Sequence, residues 1–156
     1  MKLLFDEMLK NLCSWFRILG VDSEFAGGRN DSKLLHLAMK EGRVLITRDL
    51  PLTVRCEKHG VGFVFIKSDA IEEQIAQVLK ETGISPVFPN FTRCASCNGE
   101  LADAPKEGLA GKVPQNTLEH HDRFWRCKTC GKVFWEGGHW ANIRRIYEKA
   151  KEIAAK

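Results

Sequence analysis

The sequence predicts an α/β domain with a mostly parallel sheet, followed by a small cysteine-rich module that ends in a helix. Three observations support this class. Short apolar runs alternate with amphipathic helical segments over residues 1–85. Two C-x-x-C pairs lie in the last part of the chain, after a segment that contains two prolines. A length of 156 residues fits one ordinary domain with a small appendage.

The first 85 residues predict four β-α units in order. Apolar runs rich in leucine, valine, isoleucine and phenylalanine predict strands at 2–5, 43–47 and 62–66, and "DSEFA" at 22–26 is a candidate for a short strand between the first two helices. Apolar residues that recur every three or four positions predict helices at 7–20, 32–42, 52–60 and 70–83. Strands joined by helical crossovers pair in parallel, so their carboxyl ends are expected along one edge of the sheet, where such folds bind ligands.

The second part of the chain has a different composition. A linker without periodicity is predicted over residues 86–93, between a first domain at 1–85 and a cysteine module with its helix at 94–156. The helix is predicted over 139–156 because Trp140, Ile143, Ile146 and Ile153 form one apolar stripe.

Charge is divided unequally along the chain. Residues 1–90 hold 12 basic and 12 acidic side chains, whereas residues 91–156 hold 12 and 8, which accounts for the whole net charge of +4. A basic second half suggests an anionic partner, although +4 is also ordinary for a protein of this size. No apolar run is long enough for a membrane helix, and the first residues do not resemble a signal peptide, so a cytoplasmic location is expected.

Four aspartates are expected at the carboxyl edge of the sheet. Each follows a predicted strand; they are Asp6, Asp31, Asp49 and Asp69. Grouped carboxylates repel one another unless a cation lies between them, and Mg²⁺ or Mn²⁺ prefers such oxygen ligands. An ion held there can generate hydroxide and stabilise an in-line phosphodiester displacement, which indicates a metal-dependent nuclease.

Helix capping is the competing interpretation of these acids. Asp31 and Asp69 each precede a predicted helix, and capping is favoured for Asp69. Asp49 also suits a turn before Leu50-Pro51. Asp6 favours function, because a carboxylate between an apolar strand and an apolar helix is costly without a partner. A receiver-type phosphoacceptor domain uses similar acids, but it needs a fifth strand ending in lysine, which the chain does not offer.

The paired cysteines predict a structural zinc site. Cys94 and Cys97 form the first pair, and Cys127 and Cys130 form the second. Four thiolates from two such pairs complete a tetrahedral Zn²⁺ site, and in a cytoplasmic chain this spacing indicates metal before disulfides. Gly99 and Gly131 follow the pairs, where a glycine lets the backbone turn beneath the ion.

Aromatic and basic residues alternate around the cysteines. Packing inside the module is one interpretation; stacking on unpaired RNA bases is the other. The residues expected to contact RNA are Arg126, Lys128, Lys132, Trp135, Arg144 and Arg145, with Arg17 and Arg48 reaching a phosphate from the acidic edge. Thr47 is expected to serve local hydrogen bonding.

The segments "LLFDEMLKNLCSWFRILGVD", "LLHLAMKEGRVLITRD" and "CGKVFWEGGHW" resemble the Mut-seven C-terminal RNase domain family over residues 1–147. This resemblance implies a PIN-like fold with a zinc ribbon, and metal-dependent RNA cleavage by Asp6, Asp31 and Asp49. Asp69 is the nearest counterpart of the fourth acid of PIN nucleases. The same pairing of domains resembles ribosomal-RNA maturation endonucleases, so the RNA substrate is open. A non-catalytic adaptor that binds RNA or protein is the alternative function.

Overall fold

A computed structural model describes all 156 residues. The first part is a sheet of four parallel strands covered by helices on both faces, which confirms the predicted α/β class. The strands are β1 (Lys2–Phe5), β2 (Ser23–Phe25), β3 (Arg43–Thr47) and β4 (Phe63–Phe65). The helices are α1 (Lys10–Ile18), α2 (Asp31–Glu41), α3 (Leu50–His59) and α4 (Ile71–Thr82). We call residues 1–85 the sheet domain.

The spatial order of the strands is β2-β1-β3-β4. Phe25, Phe5 and Ile46 lie level with one another across the first three strands, and Thr47 pairs with Phe65 of β4. Because all pairs are parallel and in this register, the residues that follow the strands emerge together at the carboxyl edge. The sheet has no fifth strand, so the structure does not support a receiver-type domain.

Alternate residues of each strand feed two separate cores. Phe5 and Ile46 pack on one face with α1 and α4, whereas Leu4 and Leu45 pack on the other with α2 and α3. This alternation is the period of two expected for a strand covered on both faces.

Two helices begin differently from the sequence prediction. A short 3₁₀ turn at Glu7–Leu9 precedes α1, because the Asp6 carboxylate accepts from the backbone N–H of Glu7. Helix α3 begins at Leu50 rather than at residue 52, because Asp49 caps it and Pro51 fits its first turn.

The cysteine module is a three-stranded antiparallel sheet formed by β5 (Leu101–Ala104), β6 (Phe124–Cys127) and β7 (Val133–Phe134). We call residues 94–138 the ribbon. Between β5 and β6 the chain makes an excursion that contains a 3₁₀ turn (Lys106–Gly108) and α5 (Gln115–His120). Its own core is small and consists of four buried residues, Leu109, Val113, Leu118 and Phe124.

The last helix, α6 (Trp140–Ala154), follows the ribbon in sequence but packs mainly on α4. Its Ile146, Tyr147 and Ala150 belong to the larger core of the sheet domain. The linker crosses the same region, where Phe88 lies against both Trp140 and Tyr147, with ring centroids 5.5 and 5.3 Å apart. None of the helices combines the length and apolar character needed to cross a membrane.

Candidate functional site

Asp6 is the most buried acid at the carboxyl edge, with 9% of the residue exposed. One carboxylate oxygen accepts from the N–H of Glu7 at 2.7 Å, and the other accepts from the Thr47 hydroxyl at 2.7 Å. These bonds fix the carboxylate between β1 and β3. A carboxylate has about four acceptor positions, so both oxygens keep capacity for a further ligand.

Thr47 forms hydrogen bonds with both Asp6 and Asp49. It is fully buried at the end of β3, and its hydroxyl oxygen accepts from the backbone N–H of Asp49 at 2.9 Å. The Asp49 carboxylate in turn accepts from the N–H of Leu52 at 3.2 Å, which is the N-cap bond of α3. Asp6 and Asp49 therefore share one hydrogen-bonded support, a tertiary contact that local sequence patterns could not reveal.

Asp31 lies at the first position of α2, and its side chain is 42% exposed. Asn30 provides the cap by accepting from the N–H of Lys33 at 2.9 Å, so the Asp31 carboxylate is not needed for capping. Arg55 of α3 approaches it with an N–O distance of 3.9 Å. The Asp31 carboxylate is thus free of a capping role and lies beside a cation, but Asp6, Asp31 and Asp49 do not form a cluster close enough to hold one ion as the four cysteines do.

Asp69 differs from the other three acids. Its side chain is 90% exposed and forms an ion pair of 2.6 Å with Arg48. The N-cap residue of α4 is Ala70, so Asp69 does not serve as the cap that the sequence favoured. The ion pair occupies Arg48 as well, although exposed pairs of this kind contribute little stability.

Arg17 holds the ribbon instead of facing solvent. It is 7% exposed; its Nε donates to the Ser23 carbonyl at 2.8 Å, and its Nη1 donates to the carbonyls of Ala95 and Ser96. Burial and these bonds direct the guanidinium to the junction between α1, β2 and the ribbon, and the phosphate contact of Arg17 stays a prediction.

The other predicted RNA contacts lie on three surfaces. Lys132 and Trp135 line a pocket between the ribbon and α6, whereas Arg126 and Lys128 line a different pocket on the ribbon. On α6, Arg144 lies 5.3 Å from the Phe88 ring and 3.7 Å from Glu136, and Arg145 donates to Asn142. The structure brings Lys132 and Trp135 together but separates them from Arg126 and Lys128.

The four cysteines of the ribbon converge on one point. The ligand sulfurs all lie within 4.8 Å of one another; Cys94 and Cys130 are 3.7 Å apart and Cys97 and Cys127 are 3.5 Å apart. A tetrahedral zinc ion with Zn–S bonds of about 2.3 Å requires sulfurs roughly 3.8 Å apart. None of these cysteines forms a disulfide. The cluster can therefore hold a metal ion such as zinc.

Backbone N–H groups support the thiolate form of one ligand. Burial alone would raise the pKa of the Cys127 thiol, but hydrogen bonds from the N–H groups of Cys130 and Thr129, both at 3.4 Å, and from neighbouring thiols lower it to about 6. Burial raises the pKa of Cys94 to about 12. A bound cation would favour the thiolate at all four positions.

Gly99 is required by close packing beneath the cluster. A Cβ at this position would lie 2.8 Å from the Cys127 sulfur and 2.7 Å from the Thr129 hydroxyl. Any larger residue would push one cysteine pair away from the other. Gly131 follows the second cysteine pair, where a backbone turn was expected, and its φ of +77° is a conformation that favours glycine.

Asn98 joins the first cysteine pair to the sheet domain. Its side-chain oxygen accepts from the Ser23 N–H at 3.0 Å, and its amide donates to Asp22 at 2.8 Å and to Glu24 at 3.3 Å. Burial would raise the pKa of the Asp22 carboxyl, but hydrogen bonds from Asn98 and Arg43 and the charges of Arg43 and Arg93 lower it. The ribbon therefore attaches at the amino end of β2, opposite the acidic edge.

Comparisons with known proteins agree with this architecture. The chain is 21% identical to a human protein named exonuclease mut-7 homolog over an alignment of 225 residues that covers 96% of this chain. It spans only about a quarter, 26%, of the length of that relative. No solved structure matches the chain. The family model described as Mut7-C RNAse domain matches residues 1–147, and the chain belongs to this family.

Proposed function

We propose that the protein is a metal-dependent ribonuclease that hydrolyses RNA phosphodiester bonds at the carboxyl edge of its sheet. The observation that carries this proposal is the buried Asp6 carboxylate, linked through Thr47 to Asp49 in a chain of an RNase domain family. Asp31 completes the proposed catalytic set. The family and the name of the human relative support a nuclease that acts on nucleic acid.

The residue types proposed for the edge suit a hard divalent cation. Asp6, Asp31 and Asp49 offer carboxylate oxygens, which Mg²⁺ and Mn²⁺ prefer over nitrogen and sulfur. When bound, such an ion supplies a hydroxide nucleophile and stabilises charge on the phosphate. The chain's own contribution is to fix Asp6 through Thr47 and Asp49 through the cap of α3, so that both carboxylates are held in place before substrate binds.

The ribbon has a structural role in this proposal. Zn²⁺ held by the four cysteines would fold a module whose own core has four buried residues, and the folded module would help to bind RNA. Its free thiols suit a reducing, cytoplasmic setting.

Cleavage assays with matched variants test the proposal. The zinc-loaded protein should cleave single-stranded or structured RNA when Mg²⁺ or Mn²⁺ is added and not when both are omitted. Asp6→Asn and Asp49→Asn should each reduce the rate by more than about 100-fold, since ligand loss exceeds the cost of outer-shell changes. The control is Asp69→Asn, an exposed acid at the same edge, which should change the rate less than about threefold.

Two results would contradict the proposal. Cleavage that persists without added divalent ions, with zinc content verified, would remove the metal-dependent mechanism. A wild-type protein that binds RNA but does not cleave it under any of these conditions would favour a non-catalytic adaptor, which the exposed, ion-paired Asp69 in place of a fourth buried acid also favours. Parallel reactions with single-stranded DNA test whether RNA is the preferred polymer.

A further inference from the structure

An aromatic pocket lies where the ribbon meets the sheet domain. Its volume is about 430 Å³, within the range of pockets that bind small organic groups. Ile18 of α1 and Trp140 of α6 contribute apolar walls, together with Phe134 and Trp135 of the ribbon. Lys132 and His139 are exposed at its border. The pocket therefore combines aromatic walls with one lysine, Lys132, at its rim.

A groove along α1 extends from the side of this pocket towards the start of the helix. The groove has a volume of about 420 Å³, and its walls include Lys10, Ser14 and Arg17, which lie on one face of α1. Ala95 of the ribbon lines both the groove and the aromatic pocket. The hydrogen bonds from Arg17 to the carbonyls of Ala95 and Ser96 fix this shared wall.

The far end of the groove lies at the start of α1, close in sequence to Asp6, although no acid lines the groove itself. Lys10 lies one helical turn beyond Asp6, and Phe25, also in the groove, is level with Phe5 in the sheet. The nine residues from Lys10 to Ile18 span eight helical rises, which correspond to about 12 Å. An extended chain bound along this path would have one end in the aromatic pocket and would run towards the start of α1, which follows Asp6 in the chain.

We propose that the pocket between the ribbon and α6 binds an unpaired base of a single-stranded RNA whose backbone follows α1 towards Asp6. The inference rests on the proposed ribonuclease function and specifies how the substrate is held. Bases stack on aromatic faces whatever their sequence, and Lys132 at the border would contact a phosphate. A base paired in a duplex cannot enter the pocket, so the site selects unpaired RNA.

A matched pair of ribbon lysines makes the proposal testable. Lys132 borders the aromatic pocket, whereas Lys112 is an exposed ribbon lysine that does not line this pocket. Binding of a fluorescein-labelled single-stranded RNA 12-mer, about as long as the known site sizes of single-strand binders, should be measured by anisotropy. The protein should carry Asp6→Asn, so that cleavage does not interfere.

Trp135→Ala should weaken binding about tenfold, since loss of stacking on one base has effects of this order. Lys132→Gln should weaken it by a similar factor, because it removes the cation at the rim of the pocket. Lys112→Gln, which removes the same charge away from the pocket, should weaken binding less than about threefold. Trp135→Phe should restore most of the affinity, because it retains an aromatic face. A blunt duplex of the same sequence should bind at least about tenfold more weakly than the single strand. Zinc content of each variant verifies that the ribbon is folded.

The proposal is overturned if Lys112→Gln and Lys132→Gln weaken binding equally, if the duplex binds as tightly as the single strand, or if Trp135→Ala binds like the parent. If a zinc-loaded Trp135→Ala cannot be obtained, two other measurements replace it. His139→Ala should weaken binding, and the oligonucleotide should quench tryptophan fluorescence; failure of both would overturn the proposal. Absence of cleavage together with pocket-dependent binding would refute only the ribonuclease function. Cleavage unaffected by the pocket variants, with unchanged binding, would refute only the pocket.

Discussion

Thr47 shows how one buried hydroxyl can serve two acids. It donates to Asp6 and accepts from the backbone of Asp49, and it is fully buried. Thr47→Val keeps the shape of the side chain but leaves a charged oxygen of Asp6 without its donor. We expect the free energy of unfolding to fall by about 1–3 kcal/mol. Cleavage should also slow by about 10- to 100-fold at full folding, because the carboxylate loses its orientation.

Thr47→Ser is the control for that prediction, because it retains the hydroxyl. Its cleavage rate should stay within about threefold of wild type. The measurements are urea unfolding and initial rates at saturating Mn²⁺. If Thr47→Val cleaves like Thr47→Ser, Thr47 does not orient Asp6 for the reaction.

Asp49 combines a cap with a proposed ligand, and two substitutions separate these roles. Asparagine is as good an N-cap as aspartate, so Asp49→Asn should keep the unfolding free energy within about 0.5 kcal/mol while abolishing cleavage. Asp49→Ala should lose cleavage and about 1 kcal/mol of stability as well. Thermal or urea unfolding measures the difference. Equal stability of the two variants would show that the bond to Leu52 contributes nothing.

For single residues, the sequence predicted where a residue lies relative to the strands better than it predicted which residues it contacts. The strand and helix periods place Asp6, Asp31 and Asp49 at one edge because they determine where each strand ends. The period does not indicate that Thr47 reaches across to β1. Arg17 shows the same limitation: a basic residue in the last turn of α1 suggests solvent exposure, and its burial depends on a ribbon that lies 78 residues later in the chain.

Among the helices and strands, α6 carries a tyrosine whose burial can be measured by absorbance. Tyr147 is the single tyrosine of the chain, and its hydroxyl donates to the Pro86 carbonyl at 3.0 Å. Burial, together with the negative charge of Glu148, raises its pKa above the ordinary value of 10.0. The folded protein thus holds this proton more tightly than the unfolded chain does. The resulting stability is present below about pH 10 and is lost as the pH rises through the raised pKa.

Absorbance of tyrosinate at alkaline pH therefore tests the packing of α6. The native protein should titrate with a midpoint above that of the same protein in concentrated urea. In the Tyr147→Phe variant this absorbance change should be absent, and the part of the alkaline loss of stability that comes from Tyr147 should disappear. Coincident midpoints in native and unfolded samples would show that α6 leaves the tyrosine in water.

The amphipathic stripe of α6 predicted a helix correctly, but not the surface that it covers. Proximity in sequence associates α6 with the ribbon, whereas Ile146 and Ala150 pack into the core of the sheet domain. An apolar stripe on a helix indicates that the helix packs on some apolar surface. Which surface this is depends on the three-dimensional arrangement of the whole chain. The folded elements of the excursion between β5 and β6 were not predicted for the same reason. Its buried apolar residues pack against Phe124 of β6, which the local sequence does not indicate.

For the whole molecule, metal removal should affect the two parts differently. The ribbon has a small core, so without its ion we expect hydrogen-exchange protection to be lost in residues 94–138. The strands β1 to β4 should remain protected, because their cores belong to the sheet domain. Their global stability should fall by about 1–3 kcal/mol as Arg17 and Asn98 lose their buried contacts.

Exchange measured by mass spectrometry, with metal content determined on the same sample, checks this prediction. Adding Zn²⁺ back should restore protection, and Mg²⁺ should not, because it does not favour thiolate ligands. Full protection of the ribbon in a sample without metal would contradict a structural role for the ion.

The return of α6 to α4 makes the ribbon an insertion rather than a tail. The chain leaves the sheet domain after α4 and comes back to the same helix, so the ribbon is tethered at both ends. A ribbon that opened would stay at high effective concentration next to its docking surface and could close again without a diffusional search. A shortened chain that stops after α4 would lose not only the ribbon but also the helix that covers one side of the core.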